Sequence, residues 1–376
     1  YLHNESNRPQ GCITISASGA NSGFVNYWDV PIWASDCVTL KSKDEDKYLT
    51  KFLYYALRLI QSDIYLLQKG SDQPHVYASD IQYIKVPAVS VPIQKKALAE
   101  AHAIEKEIET IESSIKKNSE IIDDVFNREF RFAMDEFNRT KQAKRFSANY
   151  RTLSNNADLR FSAKFHRDSG NFVMQELMNR TDKKIKHYLA EPIVLGASVS
   201  PSDYSDDGEF CYISMATIKN WKFYLESAST VSKEYSDSKQ AKTVRKNDII
   251  LARSGEGTIG KVALIDDDEL QGVFADFTMR IRLKDYNPEF AYYYFRTTYF
   301  QYLIEIYKKG LGNNTNIFPI VVREFPMLDI SLEEQQRIVD KIHAEIAKQD
   351  EIKKQIESLR GQIDVMIQDV LTQNQG

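Results

Sequence analysis

Cysteine is scarce in this 376-residue sequence: Cys12, Cys37 and Cys211 are odd in number and widely spaced. That excludes a disulfide framework and a thiolate zinc cluster, and makes a reducing, cytoplasmic setting the expectation. No uninterrupted apolar run reaches the roughly 18 residues that a membrane-crossing helix needs, and no basic stretch followed by an apolar segment marks a secretory signal at the start. Glycine (15) and proline (10) are too few for a collagen-like or low-complexity chain. With 42% apolar and 27% charged residues, the composition is that of a folded globular protein.

An excess of positive charge is missing too. Lys and Arg number 49 against 53 Asp and Glu, a difference of −4, which argues against a uniformly basic nucleic-acid binder. Familiar catalytic patterns are also lacking. There is no G-x-S-x-G, no H-E-x-x-H and no Asp/Asn-Pro-Pro-Tyr/Phe run, and the six histidines are dispersed. The stretch Gly255-Glu-Gly-Thr-Ile-Gly-Lys-Val fits the glycine loop of protein kinases and most of a Walker A loop. No kinase catalytic loop follows it, and Val262-Ala-Leu-Ile reads as a strand where a P-loop needs a helix. A tight turn between strands is the expectation there.

What the sequence does contain is a copy of itself. Gln94 and His102 recur as Gln335 and His343, each 241 residues later, and Gly70 recurs as Gly310 after 240. Tyr54-Tyr55 answers Tyr293-Tyr294, Asp36 answers Asp276, and Ser18-Gly19 answers Ser254-Gly255. Six matches in one order at a nearly constant offset mark a duplication. The second copy has a leading portion, roughly 151 to 247, with no counterpart in the first. Together with a first residue other than Met, this predicts that the first copy lacks its N-terminal portion.

Each copy closes on a helical stretch. Prolines are absent between 93 and 191 and after 326. Ile104, Ile108, Ile111, Ile115, Asn118, Ile122 and Val125 alternate at spacings of four and three, as do Ile352, Ile356, Leu359, Ile363, Met366 and Val370. That heptad seam predicts two long helices pairing as an antiparallel coiled coil, with Asn118 either setting the register as a polar seam residue or marking a locally wet or frayed stretch of the seam. Ahead of each helix lie short β-branched runs bounded by turn residues. The reading is α+β, in four parts. Residues 1–92 form a first, N-terminally incomplete α+β domain and 93–150 a first long helix with its linker. Residues 151–331 form a second α+β domain, and 332–376 a second long helix.

Three motifs then point to a family. Asp248-Ile-Ile-Leu-Ala-Arg-Ser-Gly-Glu-Gly-Thr-Ile-Gly-Lys-Val-Ala is similar to a "GD-x-L-x-S-x-x-G-T-x-G-K" strand–turn–strand. Lys69-Gly-Ser-Asp-Gln-Pro-His-Val and Lys309-Gly-Leu-Gly-Asn-Asn-Thr-Asn-Ile resemble a "G-x-x-Q-P-N-I" loop. Pro326-Met-Leu-Asp-Ile-Ser-Leu-Glu-Glu-Gln-Gln-Arg-Ile-Val resembles a "P-L-P-P-L-x-E-Q-x-x-I-V" helix entry. In order and duplication these resemble the specificity (DNA-recognition) subunits of Type I restriction–modification systems.

The resemblance implies a non-catalytic protein with two tandem target recognition domains, each reading half of a bipartite DNA site. The helices would set the gap between halves and dock methyltransferase subunits. S-adenosylmethionine would sit on those partners, with no cofactor or metal here, and restriction/translocase subunits are possible further partners. The alternatives are the recognition end of a single-chain restriction–methyltransferase and a coiled-coil scaffold that binds only protein.

The candidate DNA contacts in the second copy are Arg253, Ser254, Thr258 and Lys261 on one turn, then Lys308, Lys309, Asn313, Asn314 and Asn316 on the glycine loop. In the first copy they are Ser18, Asn21 and Ser22 on the turn, then Lys69, Ser71, Gln73, His75 and Tyr77. Arg and Lys read guanine or hold phosphate, and amides suit adenine edges. The charge separates accordingly. Residues 93–132 and 332–370 hold 13 basic and 18 acidic residues, leaving −4 − (−5) = +1 for the remainder, while 128–167 holds ten basic and four acidic.

Overall fold

The computed structural model describes residues 4–70, 72–151, 160–208, 210–255 and 257–373. Two compact units divide the chain: Tyr1–Ile115 with Lys348–Gly376, and Lys116–Ala347.

In the first unit, β1 (Cys12–Ser16), β2 (Val25–Trp28) and β3 (Cys37–Leu40) form an antiparallel sheet in the order β2-β1-β3. Ile13 and Ile15 of β1 are fully buried, and they pack with Val25, Leu57, Ile64, Val76 and Ile81. The last four come from or beside the short helices α1 (Thr50–Leu59), α2 (Gln61–Tyr65) and α3 (Ala78–Ile81). Next comes α4 (Val91–Glu112), with Pro92 in its first turn, where a missing amide costs nothing.

The first unit's second core joins Phe52 and Tyr55 to Ala97, Ala101 and Ile108 of α4. Ile356, Leu359, Ile363, Ile367 and Leu371 of the C-terminal helix complete it. Each fully buried large apolar side chain contributes about 1.5–3 kcal/mol. The Arg360 guanidinium also meets Glu112 at 2.7 Å, and Arg58 pairs with Asp364.

The second unit opens with α5 (Asn118–Phe130), α6 (Met134–Gln142) and α7 (Asp168–Met178). Among the described residues eight strands follow: β4 (Val194–Leu195), β5 (Phe210–Ile213), β6 (Ile218–Lys219), β7 (Lys222–Phe223), β8 (Ser229–Val231), β9 (Ile249–Ala252), β10 (Val262–Leu264) and β11 (Gly272–Phe274). A ninth, β12 (Thr278–Ile281), completes the set, and α8 (Lys233–Ser238) sits between β8 and β9. The main sheet runs β10-β9-β12-β4, all antiparallel, and a second sheet runs β11-β5-β8 with β11 parallel to β5. The order β10-β9-β12 repeats the β2-β1-β3 sheet of the first unit.

An aromatic pair of helices, α9 (Pro288–Arg296) and α10 (Thr298–Tyr307), covers the main sheet. Thr297 separates the two in an extended conformation, where its hydroxyl caps the new amino end at Phe300. The short α11 (Pro319–Val322) then leads to α12 (Leu332–Gln373), 42 residues without a break.

The earlier helix differs from the uninterrupted one expected over 93–130. It breaks between Glu112 and Asn118. The Ser113 and Ser114 hydroxyls fold back onto the carbonyls of Thr110 and Ile111, and the Glu120 carboxylate accepts the Lys117 amide to start α5. Asn118 is therefore the exposed first residue of α5 and not a seam residue. The two sides of the break serve separate cores. Ile104, Ile108, Ile111 and Ile115 pack in the first unit, while Ile122 and Val125 pack in the second with Ile338, Val339 and Ile342 of α12. So α4 shares a core with the later half of α12, and α5 with its earlier half. Glu129 of α5 is held by Arg337 at 2.8 Å and by Lys341, which draw its carboxyl down to about 2. Among the described residues no helix is long and apolar enough to cross a membrane.

Candidate nucleic-acid interface

The strand–turn and the glycine loop of each copy meet edge to edge. In the second unit Ser254 and Lys309 both bridge to Asn316, and in the first Ser18 and Lys69 both bridge to His75. Three backbone hydrogen bonds correspond between the copies. Lys309 and Asn316 exchange bonds of 2.8 and 2.7 Å, as Lys69 and His75 do at 2.9 and 2.8 Å. The Ile317 amide donates to the Arg253 carbonyl at 2.9 Å, and the Val76 amide donates to that of Ala17 at 3.0 Å.

Glycine is required at the corner of this clasp. Gly70 and Gly310 have φ of +100° and +103°, and a Cβ on them would lie 2.9 Å and 2.3 Å from the carbonyl oxygens of Gln73 and Asn314. Behind the turn, Gln61 donates to the Gly23 carbonyl and Gln301 to that of Gly260, each at 2.8 Å. These glutamines are 240 residues apart and belong to the duplication, although no motif singles them out.

The Gly255–Gly260 turn joins antiparallel strands, with Val262 opposite Leu251. A strand follows Lys261 and no helix does, so the phosphate-loop geometry is absent. Asp248, at the head of the motif, is a structural residue. It is fully buried and grips Arg282 through both carboxylate oxygens at 2.6 Å, and the same guanidinium meets Glu191.

The candidate contact residues separate by position. In the second copy Asn314 is exposed, while Thr258 and Lys261 are half-buried, with the Thr258 hydroxyl turned inward to the Ser254 carbonyl at 2.7 Å. Ser254 is buried. Arg253 donates from Nε to the Asp276 carbonyl at 2.9 Å and from Nη1 to Asn316 Oδ1 at 3.2 Å, so its guanidinium ties turn to loop. Lys308 turns away from the loop and pairs with Glu305 at 2.7 Å, largely covered. Lys309 is half-buried, and Asn313 contributes its backbone to a single 3-10 turn.

In the first copy Asn21, Gln73 and Tyr77 are exposed and His75 is half-buried, its ring stacked near that of Tyr77 at 6.1 Å. Ser18 donates to Asp36, and Lys69 meets both oxygens of Asp80 at 2.9 Å. Ser22 is fully buried, its hydroxyl without a partner in the interior of the turn, so it presents nothing to a ligand. Ser71 lies outside the described residues.

Phe318 escaped the sequence reading. It exposes its ring two residues beyond Asn316, as Tyr77 does beyond His75, and the offset of 241 from Tyr77 is the signal that finds it. The repeated histidines each lie beside a glutamate. His343 Nε2 meets Glu289 of α9 at 2.6 Å, His102 lies exposed near Glu105, and no cluster of metal-ligand side chains occurs among the described residues.

The geometry is thus a pair of equivalent polar loop clusters, each on a small α+β unit. Comparison with known proteins gives three findings. The model of the Type I restriction modification DNA specificity domain matches residues 2–121 and again 193–359. No curated protein matches the sequence.

Among solved structures, the S subunit of a Type I restriction–modification system from M. genitalium is similar at 16% identity. The match covers 98% of this chain and 84% of that one, with a TM-score of 0.39. A structure described as showing complex assembly and conformational transition of the type I R-M system is similar at 12% identity, over 97% and 82%, with a TM-score of 0.53. The HsdS subunit from Thermoanaerobacter tengcongensis is similar at 13%, over 99% and 84%, at 0.36.

Proposed function

This chain belongs to the Type I restriction modification DNA specificity domain family, and from that premise we propose that it is the sequence-reading subunit of a restriction–modification complex. It supplies recognition rather than catalysis. Each unit reads one half of a bipartite double-stranded DNA site with its loop cluster. The observation that carries this reading is the repeated clasp. The same backbone bonds join the same two loops in both copies, while the side chains they display differ. A constant frame with variable side chains suits two readers of different half-sites.

The helices act as spacer and docking surface for methyltransferase subunits. An antiparallel pairing of the two helical stretches is supported by the order of the shared cores, with α4 against the later half of α12 and α5 against its earlier half. Two readers at fixed separation multiply effective concentration only on sites of matched spacing. S-adenosylmethionine belongs on the partner subunits, which flip the target adenine, and this chain takes no cofactor. A cytoplasmic location is supported by DNA as the ligand and by three free cysteines.

The test is methylome sequencing of a host with and without the gene, its partner genes expressed. A bipartite adenine-methylated motif present only with the gene is the expected result. An unchanged set of methylated motifs refutes the function.

A further inference from the structure

Tyr77 and Phe318 occupy the equivalent position of the two copies, and both hold large rings in solvent, 50% and 40% exposed. One exposed aromatic is ordinary on a protein surface. Here each ring also has a cation behind it. Lys69 Nζ lies 5.9 Å from the centre of the Tyr77 ring, and the Arg253 guanidinium 5.9 Å from that of Phe318, within cation–π reach.

The two cations come from different elements. Lys69 belongs to the glycine loop, where the second copy has Lys309, whereas Arg253 belongs to the strand–turn, where the first copy has Ala17. The duplication has thus kept the backed ring while changing the residue that backs it. Both cations are already committed. Asp80 holds Lys69 with both oxygens, and Arg253 spends Nε and Nη1 on Asp276 and Asn316. Tyr77 also has the His75 ring stacked 6.1 Å away, and both rings keep a large share of their surface in solvent.

Resting on the DNA-reading function above, we propose that the Tyr77 and Phe318 rings make the apolar contacts with DNA bases, and that Lys69 and Arg253 are positioning residues behind them. A ring at a groove can press on a thymine methyl or wedge a flexible base step. A cation that positions a ring adds no released counterion, whereas one that binds phosphate does.

The experiment uses the full chain assembled with its methyltransferase subunits, titrated by fluorescence anisotropy at several salt concentrations. Its probes are a duplex carrying the methylated motif and duplexes with either half-site scrambled. Phe318→Ala and Tyr77→Ala are each expected to weaken cognate binding about tenfold or more, each at its own half-site. The salt slope should not change. The ring-preserving Phe318→Tyr and Tyr77→Phe are expected to stay within about threefold of wild type. Arg253→Gln should behave as Phe318→Ala does, with the slope again unchanged.

Alanine variants that bind within about threefold of wild type overturn the proposal. So does an Arg253→Gln variant whose salt slope falls by about one unit, the mark of a lost phosphate contact. A wild-type complex that discriminates no sequence refutes the DNA-reading function and this proposal with it. A discriminating wild type with indifferent alanine variants refutes this proposal alone.

Discussion

Gln94 and Gln335, 241 residues apart, make the same pair of hydrogen bonds in their separate units. Gln94 accepts the Leu49 amide at 2.7 Å and donates to the Val89 carbonyl at 2.7 Å. Gln335 accepts the Asn287 amide at 2.8 Å and donates to the Ile330 carbonyl at 2.8 Å. Leu49 and Asn287 each stand at the start of a helix, and in both the glutamine takes up the backbone amide of that first residue. Both side chains are almost fully buried. Gln335→Leu keeps the volume and orphans the Asn287 amide and the Ile330 carbonyl, at about 1–3 kcal/mol for each group left unpaired. Urea unfolding of the variant should show a matching fall in stability, and Gln94→Leu should behave alike.

Asp248→Ala strips Arg282 of a bidentate partner within the second unit. Breaking a buried pair from one side costs about 3–5 kcal/mol. Thermal unfolding is expected to show the loss directly. Replacing the exposed partner in a surface pair such as Lys233–Asp237 should change stability by under about 1 kcal/mol.

Glu129 makes the tie between α5 and α12 sensitive to acid. Hydrogen bonds from Arg337 and Lys341 hold its carboxyl at about 2, below its ordinary 4.5. A carboxyl whose folded pKa is depressed stabilises the fold above its unfolded pKa and loses that contribution as pH falls through the folded value. Stability from this tie is therefore full above about pH 4.5 and fades toward pH 2. Between those values, Glu129→Gln is expected to flatten the dependence of Tm on pH relative to wild type, as followed by circular dichroism.

Gly310→Ala tests the clasp itself. Its φ of +103° is outside what a residue with a Cβ tolerates, and the new atom would lie 2.3 Å from the Asn314 carbonyl. Gly257, which has no left-handed φ and open space around it, is the control. Gly310→Ala should abolish discrimination at the second half-site while the first stays readable, whereas Gly257→Ala should cost little. Anisotropy with half-site duplexes measures both.

The duplication made much of this legible in advance. Ser18 and Ser254, Gly70 and Gly310, and Gln94 and Gln335 were each matched from spacing alone, and the structure gives each pair the same bonds or the same backbone conformation. The break at 113–117 was not legible. Ile111, Ile115, Ile122 and Val125 keep heptad spacing across it, because both sides bury apolar faces, though in different cores. Lys308 lies beside the loop in sequence but folds onto Glu305. The side chain of Arg253, a candidate DNA contact, also bonds Asp276 and Asn316 within the protein, which spacing does not foretell. A list of residue types cannot distinguish a group that faces a ligand from one that holds the group that does.

The sharing of α12 between the units bears on the order in which the protein can be completed. Phe52, Tyr55, Ala97 and Ala101 leave the ribosome early, yet the core they enter is closed by Ile356, Leu359, Ile363, Ile367 and Leu371. The second unit draws only on residues 116 to 347, so it can be finished first. The unit that begins earlier in the sequence is therefore the later one to have all its core residues synthesised, and until then the Ala97, Ala101 and Ile108 face of α4 lacks its α12 partners.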